Sequence, residues 1–275
     1  HNGAPATSHP EAQAQEGLTH ERARLEPIQP AQPLQPASLK SVAPAEVPSV
    51  RSRIEVLGAA GAAGSSGSPV AIRRDLTGLS LEEIAAEIQQ CQQCSLCSAR
   101  THAVAGQGVS SPEIMVVGEA PGEQEDREGL PFVGRSGQLL ENMLSAIGHD
   151  RTRTVFITNV VKCRPPGNRN PKDEEISACQ PYLQRQIERL KPKVILAMGR
   201  FAAHTLLGTD AALQNLRQQN QSITVQNPDG HEQQNQAIGR VIPVVVTYHP
   251  SYLLRRPIDK RLAWEDLKRV RQILL

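Results

Sequence analysis

Four short apolar runs constrain the fold more than any other feature: IMVVG (114–118), VFITNVV (155–161), KVILAMG (193–199) and VIPVVVTY (241–248). None alternates strictly between apolar and polar side chains. Strands of this kind need cover on both faces, as in a parallel sheet enclosed by helices. Helical patterns lie between them. SGQLLENMLSAIG (136–148) repeats Leu139, Leu140, Met143, Leu144 and Ile147 at helical spacing, with Gly148 as the expected stop. NPKDEEISACQPYLQRQIERL reads as a further helix, capped by Asn170 and with Pro171 at its first position. RFAAHTLLG and LAWEDLKRVRQILL continue the alternation. The pattern predicts an α/β domain of three layers, α/β/α, around a mostly parallel four-stranded sheet. Such sheets bind ligands beyond the carboxyl ends of their strands. EAPGEQED after the first run, Thr158 and Asn159 in the second, and HPSYLLRR after the last are therefore expected to share one pocket.

Residues 1–75 have no sustained apolar period and are rich in Pro, Ala, Gln, Gly and Ser. Such a segment buries too little surface to offset the entropy of ordering it, so a disordered tail is expected, followed by one domain over 76–275. In the first helix of that domain, Ser80 and Glu83 form a capping box ahead of Leu81, Ile84, Ala85 and Ile88. The Gln-rich segment 216–240 is expected to be a surface hairpin or loop. A net charge of +2 is too mild to imply a nucleic-acid partner by itself. No stretch approaches the roughly 20 apolar residues of a membrane span. The opening residues lack the basic start and apolar centre of a secretory signal, so no membrane is expected and the cytoplasm is the expected location.

Five cysteines is an odd number, and three of them fall in CQQCSLC (91–97). In a reducing compartment this fits a metal site or redox chemistry better than a disulfide frame. Cys91 and Cys94 are spaced to present two thiolates from one turn of chain. Cys163 and Cys179 flank a Pro-rich loop and a helix start. Four thiolates could close a tetrahedral zinc site or hold an iron–sulfur cluster, and thiolate chemistry alone does not choose between them. Cys97 could replace a ligand or stand aside. Lys162 and Arg164, on either side of Cys163, could offset thiolate charge or reach a phosphate backbone.

CQQC, GEAPGEQED, GLPFVGRSGQLL, ITNVVKCRPPGNRNP, the lone Cys179 and YHPSYLLR occur in this order from about residue 88 onward. Together they resemble the family 4 uracil-DNA glycosylases, the iron–sulfur branch of the uracil-DNA glycosylase superfamily. The resemblance implies hydrolysis of the bond between uracil and deoxyribose in single- or double-stranded DNA, the opening step of base-excision repair. It implies a [4Fe-4S] cluster on Cys91, Cys94, Cys163 and Cys179. It also implies that Phe132 stacks on the uracil ring, that Asn159 reads its polar edge, that His249 faces its O2, and that Glu119 and Glu125 lie near the reacting sugar.

The chemistry suits these residue types. A base must leave the duplex to be cut, at a cost of a few kcal/mol, and stacking on an aromatic ring returns about 1–3 kcal/mol. Phe132 could equally be a core residue. An amide offers both an acceptor and donors, so Asn159 can match uracil N3–H and O4 and leave cytosine mispaired. As an alternative, it could end a strand by bonding to backbone. A donor at O2 is most useful once charge has developed there, which suits His249. Where better-known uracil glycosylases carry an aspartate, two residues after the first-motif glycine, this chain has Ala120. That position can line the uracil pocket but not supply a base, which leaves Glu119 or Glu125 to orient water.

On the DNA side, Ser251, Arg255 and Arg256 are expected at phosphates. Leu253 and Leu254 either wedge into the base stack or return to the core. Lys162, Arg164 and Arg169 would extend the basic face. A relative that bonds covalently to DNA through a histidine in a basic insertion is a second reading, but RPPGNRNP contains no histidine. A non-catalytic iron–sulfur DNA-binding or polymerase-associated module is a third, and a zinc-ribbon protein a fourth. A monomer is expected, with a tail that could recruit other repair or replication proteins.

Overall fold

The computed structural model describes residues 76–226 and 239–275. The expected tail and the tip of the Gln-rich segment lie outside them. Six strands form one sheet: β1 (Gln107–Gly108), β2 (Ile114–Gly118), β3 (Val155–Asn159), β4 (Val194–Met198), β5 (Gln221–Val225) and β6 (Arg240–Thr247). Their spatial order is β1-β3-β2-β4-β6-β5. The four apolar runs supply the parallel centre, β3-β2-β4-β6, while β1 and β5 add antiparallel edges. The sheet thus has two more strands than expected. β1 is only two residues long, and β5 alternates half-buried and exposed positions, so neither reads as an apolar run.

The helices are α1 (Leu81–Gln90), α2 (Glu123–Glu128), α3 (Arg135–Ser145), α4 (Asp173–Leu190), α5 (Arg200–Leu207), α6 (Leu213–Gln218), α7 (Pro250–Arg255) and α8 (Lys260–Leu274). Two cores enclose the sheet. Met115, Val117, Ile195, Ala197 and Val246 pack with α1, α4, α5 and α6, whereas Ile114, Val116, Val194, Leu196 and Val245 pack with α3, α7 and α8. Successive residues of a strand therefore serve opposite cores, which is why the runs show no polar alternation.

At α1 the capping box forms as expected: Glu83 N–H donates to Ser80 Oγ at 3.2 Å, and Ser80 N–H donates to Glu83 Oε2 at 2.7 Å. Two helix ends differ from expectation. α4 begins at Asp173 rather than at Asn170-Pro171, because the Glu175 carboxylate accepts the Lys172 N–H at 2.8 Å while also binding Arg169. α3 ends at Ser145, and Gly148 with φ 85° turns the chain three residues later. The Gln-rich segment does flank a hairpin, since β5 pairs antiparallel with β6.

Winding reverses at β2, with β3 on one side and β4 on the other. Crevices of open parallel sheets lie at such reversals, above the carboxyl ends of the strands. Here those ends carry Gly118, Asn159, Met198 and Thr247.

Candidate active site

A cleft of about 1050 Å³ opens above these strand ends. Its walls include Glu119 and Ala120 after β2, Phe132 before α3, Asn159 ending β3, Gly199 and Arg200 after β4, and Tyr248 and His249 after β6. Three of these side chains meet around Gly118. A Cβ on this glycine would strike Asn159 Oδ1 and would lie 2.7 Å from the Phe132 ring. The absent side chain is what lets amide and ring lie together. The Phe132 ring in turn lies 5.5 Å from that of His249, tilted by 31°.

Asn159 is 1% exposed, and its Oδ1 has no hydrogen-bond partner. A buried amide oxygen left unpaired costs about 1–3 kcal/mol, which an arriving donor would recover. The other edge of the amide's residue is held firmly. Lys162, also 1% exposed, donates through Nζ to the Asn159 carbonyl at 2.8 Å, to Thr158 Oγ1 at 2.7 Å and to Gln186 Oε1 at 2.7 Å.

His249 is oriented by its own helix. The Ser251 N–H donates to Nδ1 at 3.2 Å, and Ser251 Oγ lies 2.8 Å from the same atom. An imidazole that accepts at Nδ1 carries its proton on Nε2 when neutral. Burial, with help from the charge of Arg255, lowers its pKa to about 4, so the ring is a neutral donor at ordinary pH. Gly199, at φ 88°, approaches it closely; a Cβ there would lie 3.2 Å from the His249 Cβ.

The two glutamates separate clearly. Glu125 Oε2 accepts the Gly122 N–H at 3.1 Å, and its Oε1 accepts those of Val133 and Gly134 at 3.0 and 3.1 Å. Both oxygens are committed to backbone, Oε2 at the start of α2 and Oε1 just after Phe132. Glu119 also lines the cleft, and burial raises its pKa, opposed in part by Arg200. A carboxylate with an elevated pKa is the better proton acceptor.

All five cysteines line a second, small cavity beneath β3, together with Arg100 and Lys162. Arg100 Nη1 donates to Cys163 Sγ at 3.0 Å, and the Lys162 N–H donates to Cys179 Sγ at 3.3 Å. Burial pushes the thiols of Cys94 and Cys163 upward and that of Cys179 to about 12. Thiols so placed ionise only beside a strong positive charge, the condition a bound metal supplies. Among the described residues, no group of three or more His, Cys, Asp or Glu side chains is arranged to hold a metal ion.

The profile of the Uracil DNA glycosylase superfamily matches residues 105–268. A type-4 uracil-DNA glycosylase of Sulfurisphaera tokodaii is 43% identical over 197 residues, spanning 71% of this chain and 86% of that protein. Type-4 uracil-DNA glycosylases of Saccharolobus solfataricus and Archaeoglobus fulgidus are 42% and 40% identical over 196 and 194 residues, spanning 71% and 70% of this chain and 87% and 93% of theirs. The chain belongs to the type-4 uracil-DNA glycosylase family.

Of the positions singled out in the sequence of this glycosylase, Glu119, Ala120, Phe132, Asn159 and His249 line one cleft, joined by Glu125, Arg169, Ser251 and Arg255. Several positions are buried, or paired with other side chains. Leu253 is 1% exposed and packs in the core under α3 and α8, so it cannot wedge into a base stack; its place on the inward face of α7 follows from helical spacing. Lys162 cannot reach a phosphate, because β3 carries it into the interior, where three acceptors satisfy its ammonium group. Arg164 is tied to Asn168 Oδ1 at 2.8 Å and faces Glu123 at 3.4 Å, and Arg169 is paired with Glu175 at 2.6 Å. Arg255 remains exposed at the rim. Leu254 is half-buried.

Several participants escaped the sequence reading. Gly118 ends an apolar run, as many glycines do, and nothing local marks the two side chains above it. Tyr248 stacks on Tyr252 at 5.0 Å, with the Arg217 guanidinium over the Tyr248 ring, 4.4 Å from its centroid. No spacing rule links residues 217, 248 and 252.

Proposed function

We infer that the protein hydrolyses the N-glycosidic bond of uracil in DNA, releasing free uracil and leaving an abasic site for base-excision repair. The observation that carries this reading is the buried Asn159 amide with its unpaired Oδ1, set beside Phe132 and His249. Oδ1 accepts uracil N3–H while Nδ2 donates to O4. Cytosine offers a lone pair at N3 and an amino group at C4, and matches neither. Phe132 stacks on the extruded ring. As the C1′–N1 bond breaks, its electron pair moves onto uracil N1 and O2, where the His249 Nε2–H donates. Water completes the reaction at C1′, oriented by Glu119, whose raised pKa suits it to take a proton. Glu125 shapes the loop instead of touching water.

On the DNA side, Arg255 meets phosphate at the rim, and Leu254 is the remaining candidate for the gap left by the flipped nucleotide. Cys91, Cys94, Cys163 and Cys179 would hold a four-iron, four-sulfur cluster. Its donor set fits: buried thiols around one cavity, with Arg100 and a backbone N–H aimed at sulfur. When bound, the cluster would cross-link the segment after α1 to the β3–α4 connection and to α4 itself. The five unpaired thiols suit the reducing cytoplasm.

The test is release of free uracil from a uracil-containing oligonucleotide by anaerobically purified protein, with His249→Ala alongside. An abasic product, formed roughly 100- to 1000-fold more slowly by the variant, is expected. Protein that carries iron and acid-labile sulfide, binds the oligonucleotide and releases nothing would instead be a binding module.

A further inference from the structure

Phe132 holds a backbone conformation that aromatic residues rarely adopt, with φ 52°. Its neighbours on both sides are clamped by charged side chains. Toward the amino end, Arg151 donates from Nη1 to the Pro131 carbonyl at 3.1 Å and from Nη2 to the Phe132 carbonyl at 3.0 Å. Toward the carboxyl end, Glu125 accepts the N–H groups of Val133 and Gly134. Gly137, in the first turn of α3, leaves room for the same Phe132 carbonyl; a Cβ there would strike its carbon and oxygen and lie 3.0 Å from its Cα.

Arg151 itself is well anchored. Its Nε donates to Glu141 Oε1 at 2.6 Å and its Nη1 to Gln107 Oε1 at 2.9 Å, so it joins α3, β1 and the Phe132 loop. Its side chain is 16% exposed and forms no part of the cleft wall. It therefore does not face the cleft directly. A planar fork that reaches two successive carbonyls fixes the peptide between them, and that peptide sets where the ring points.

We infer that Arg151 is a positioning residue for base recognition: it fixes the left-handed Phe132 so that the ring faces the Asn159 amide, and acts on uracil only through that ring. The inference rests on the proposed stacking role of Phe132.

A double-mutant cycle tests it. Single-turnover uracil release, oligonucleotide affinity and melting temperature are measured for wild type, Arg151→Ala, Phe132→Ala and the double variant, well below the lowest melting temperature. Arg151→Ala is expected to slow release about 10- to 100-fold with affinity changed far less. The double variant is expected to be no slower than Phe132→Ala. Multiplicative losses, or an Arg151→Ala protein that melts earlier but releases uracil at the wild-type rate, would overturn the inference and leave the stacking role standing. A Phe132→Ala protein with wild-type activity would overturn the stacking role itself, and Arg151 with it. Should Arg151→Ala fail to fold, Arg151→Lys completes the same cycle. Lysine keeps the charge but cannot fork, so partial loss that vanishes in the Phe132→Ala background supports positioning, and loss that persists there refutes it.

Discussion

At Gly118 the absence of a side chain matters as much as any functional group. Its Cα lies where the Asn159 oxygen and the Phe132 ring edge converge. Gly118→Ala must push one of them aside, and misplacement by about 1 Å costs roughly 100-fold in rate. The expected result is uracil release slowed by about that factor, with stability lowered by ~1–3 kcal/mol as in other overpacked sites; denaturant unfolding and single-turnover kinetics check the two together. Asn159→Asp replaces the donor face of the amide with an acceptor. Uracil release should fall and cytosine release become measurable on an oligonucleotide with one C·G pair. The reading of Asn159 as uracil-specific fails if the variant loses both.

The pH profile separates Glu119 from His249. His249 stays neutral down to about pH 4, because burial opposes its charged form. Glu119 is shifted upward by burial and must be ionised to accept a proton. Acid should therefore slow the reaction through Glu119, and Glu119→Gln should abolish that acid limb along with most of the rate. Stability falls with acid as well, but through His249. The unfolded chain protonates His249 near pH 6.5 while the folded protein resists until about pH 4. The unfolded state then binds more protons across this window, and stability falls as pH drops through it. His249→Gln should flatten that part of a melting-temperature profile.

Among the elements, the end of β3 is where sequence reasoning and structure diverge most usefully. The run 155–161 is legible as a strand because both cores claim its side chains. Lys162 then follows it into the interior, although a lysine after a strand reads as a surface residue. Its ammonium joins Thr158, the Asn159 carbonyl and Gln186 of α4, while its N–H reaches Cys179. One buried side chain thus connects the backbone of Asn159 with the cysteine cavity. Burial lowers its pKa to about 8, and its three acceptors keep the buried ammonium paired. Lys162→Met would leave those acceptors unpaired, and a loss of about 3 kcal/mol or more is expected in chemical denaturation. Iron content should be retained if the thiols alone hold the cluster. Helix α7 gives the converse case. The pair Leu253-Leu254 is equally apolar in sequence, and only the direction of the helix puts Leu253 in the core and Leu254 at half-burial. β1 and β5 stayed hidden because edge strands need no two-sided apolar cover.

For the molecule as a whole, the sheet brings together groups that lie far apart in sequence. Glu119, Phe132, Asn159 and His249 span 131 positions of the chain, yet all four line the same crevice, three of them at strand ends and Phe132 in the loop before α3. The motifs could be located in sequence because parallel sheets direct their carboxyl-end loops to one side. Their mutual distances could not, since these depend on which strands are neighbours, and the order β3-β2-β4-β6 is not the order of the chain. Among the described residues, the core of this domain begins at Leu76, which is 7% exposed and packs with α1 and α4. We propose that a chain beginning at residue 70 is the complete catalytic unit. It should release uracil within about twofold of the full chain, and unfold within ~0.5 kcal/mol of it. A loss of tenfold or more in release, with unfolding unchanged, would show that residues 1–69 contribute to substrate binding, and the salt dependence of oligonucleotide affinity would show whether that contribution is electrostatic.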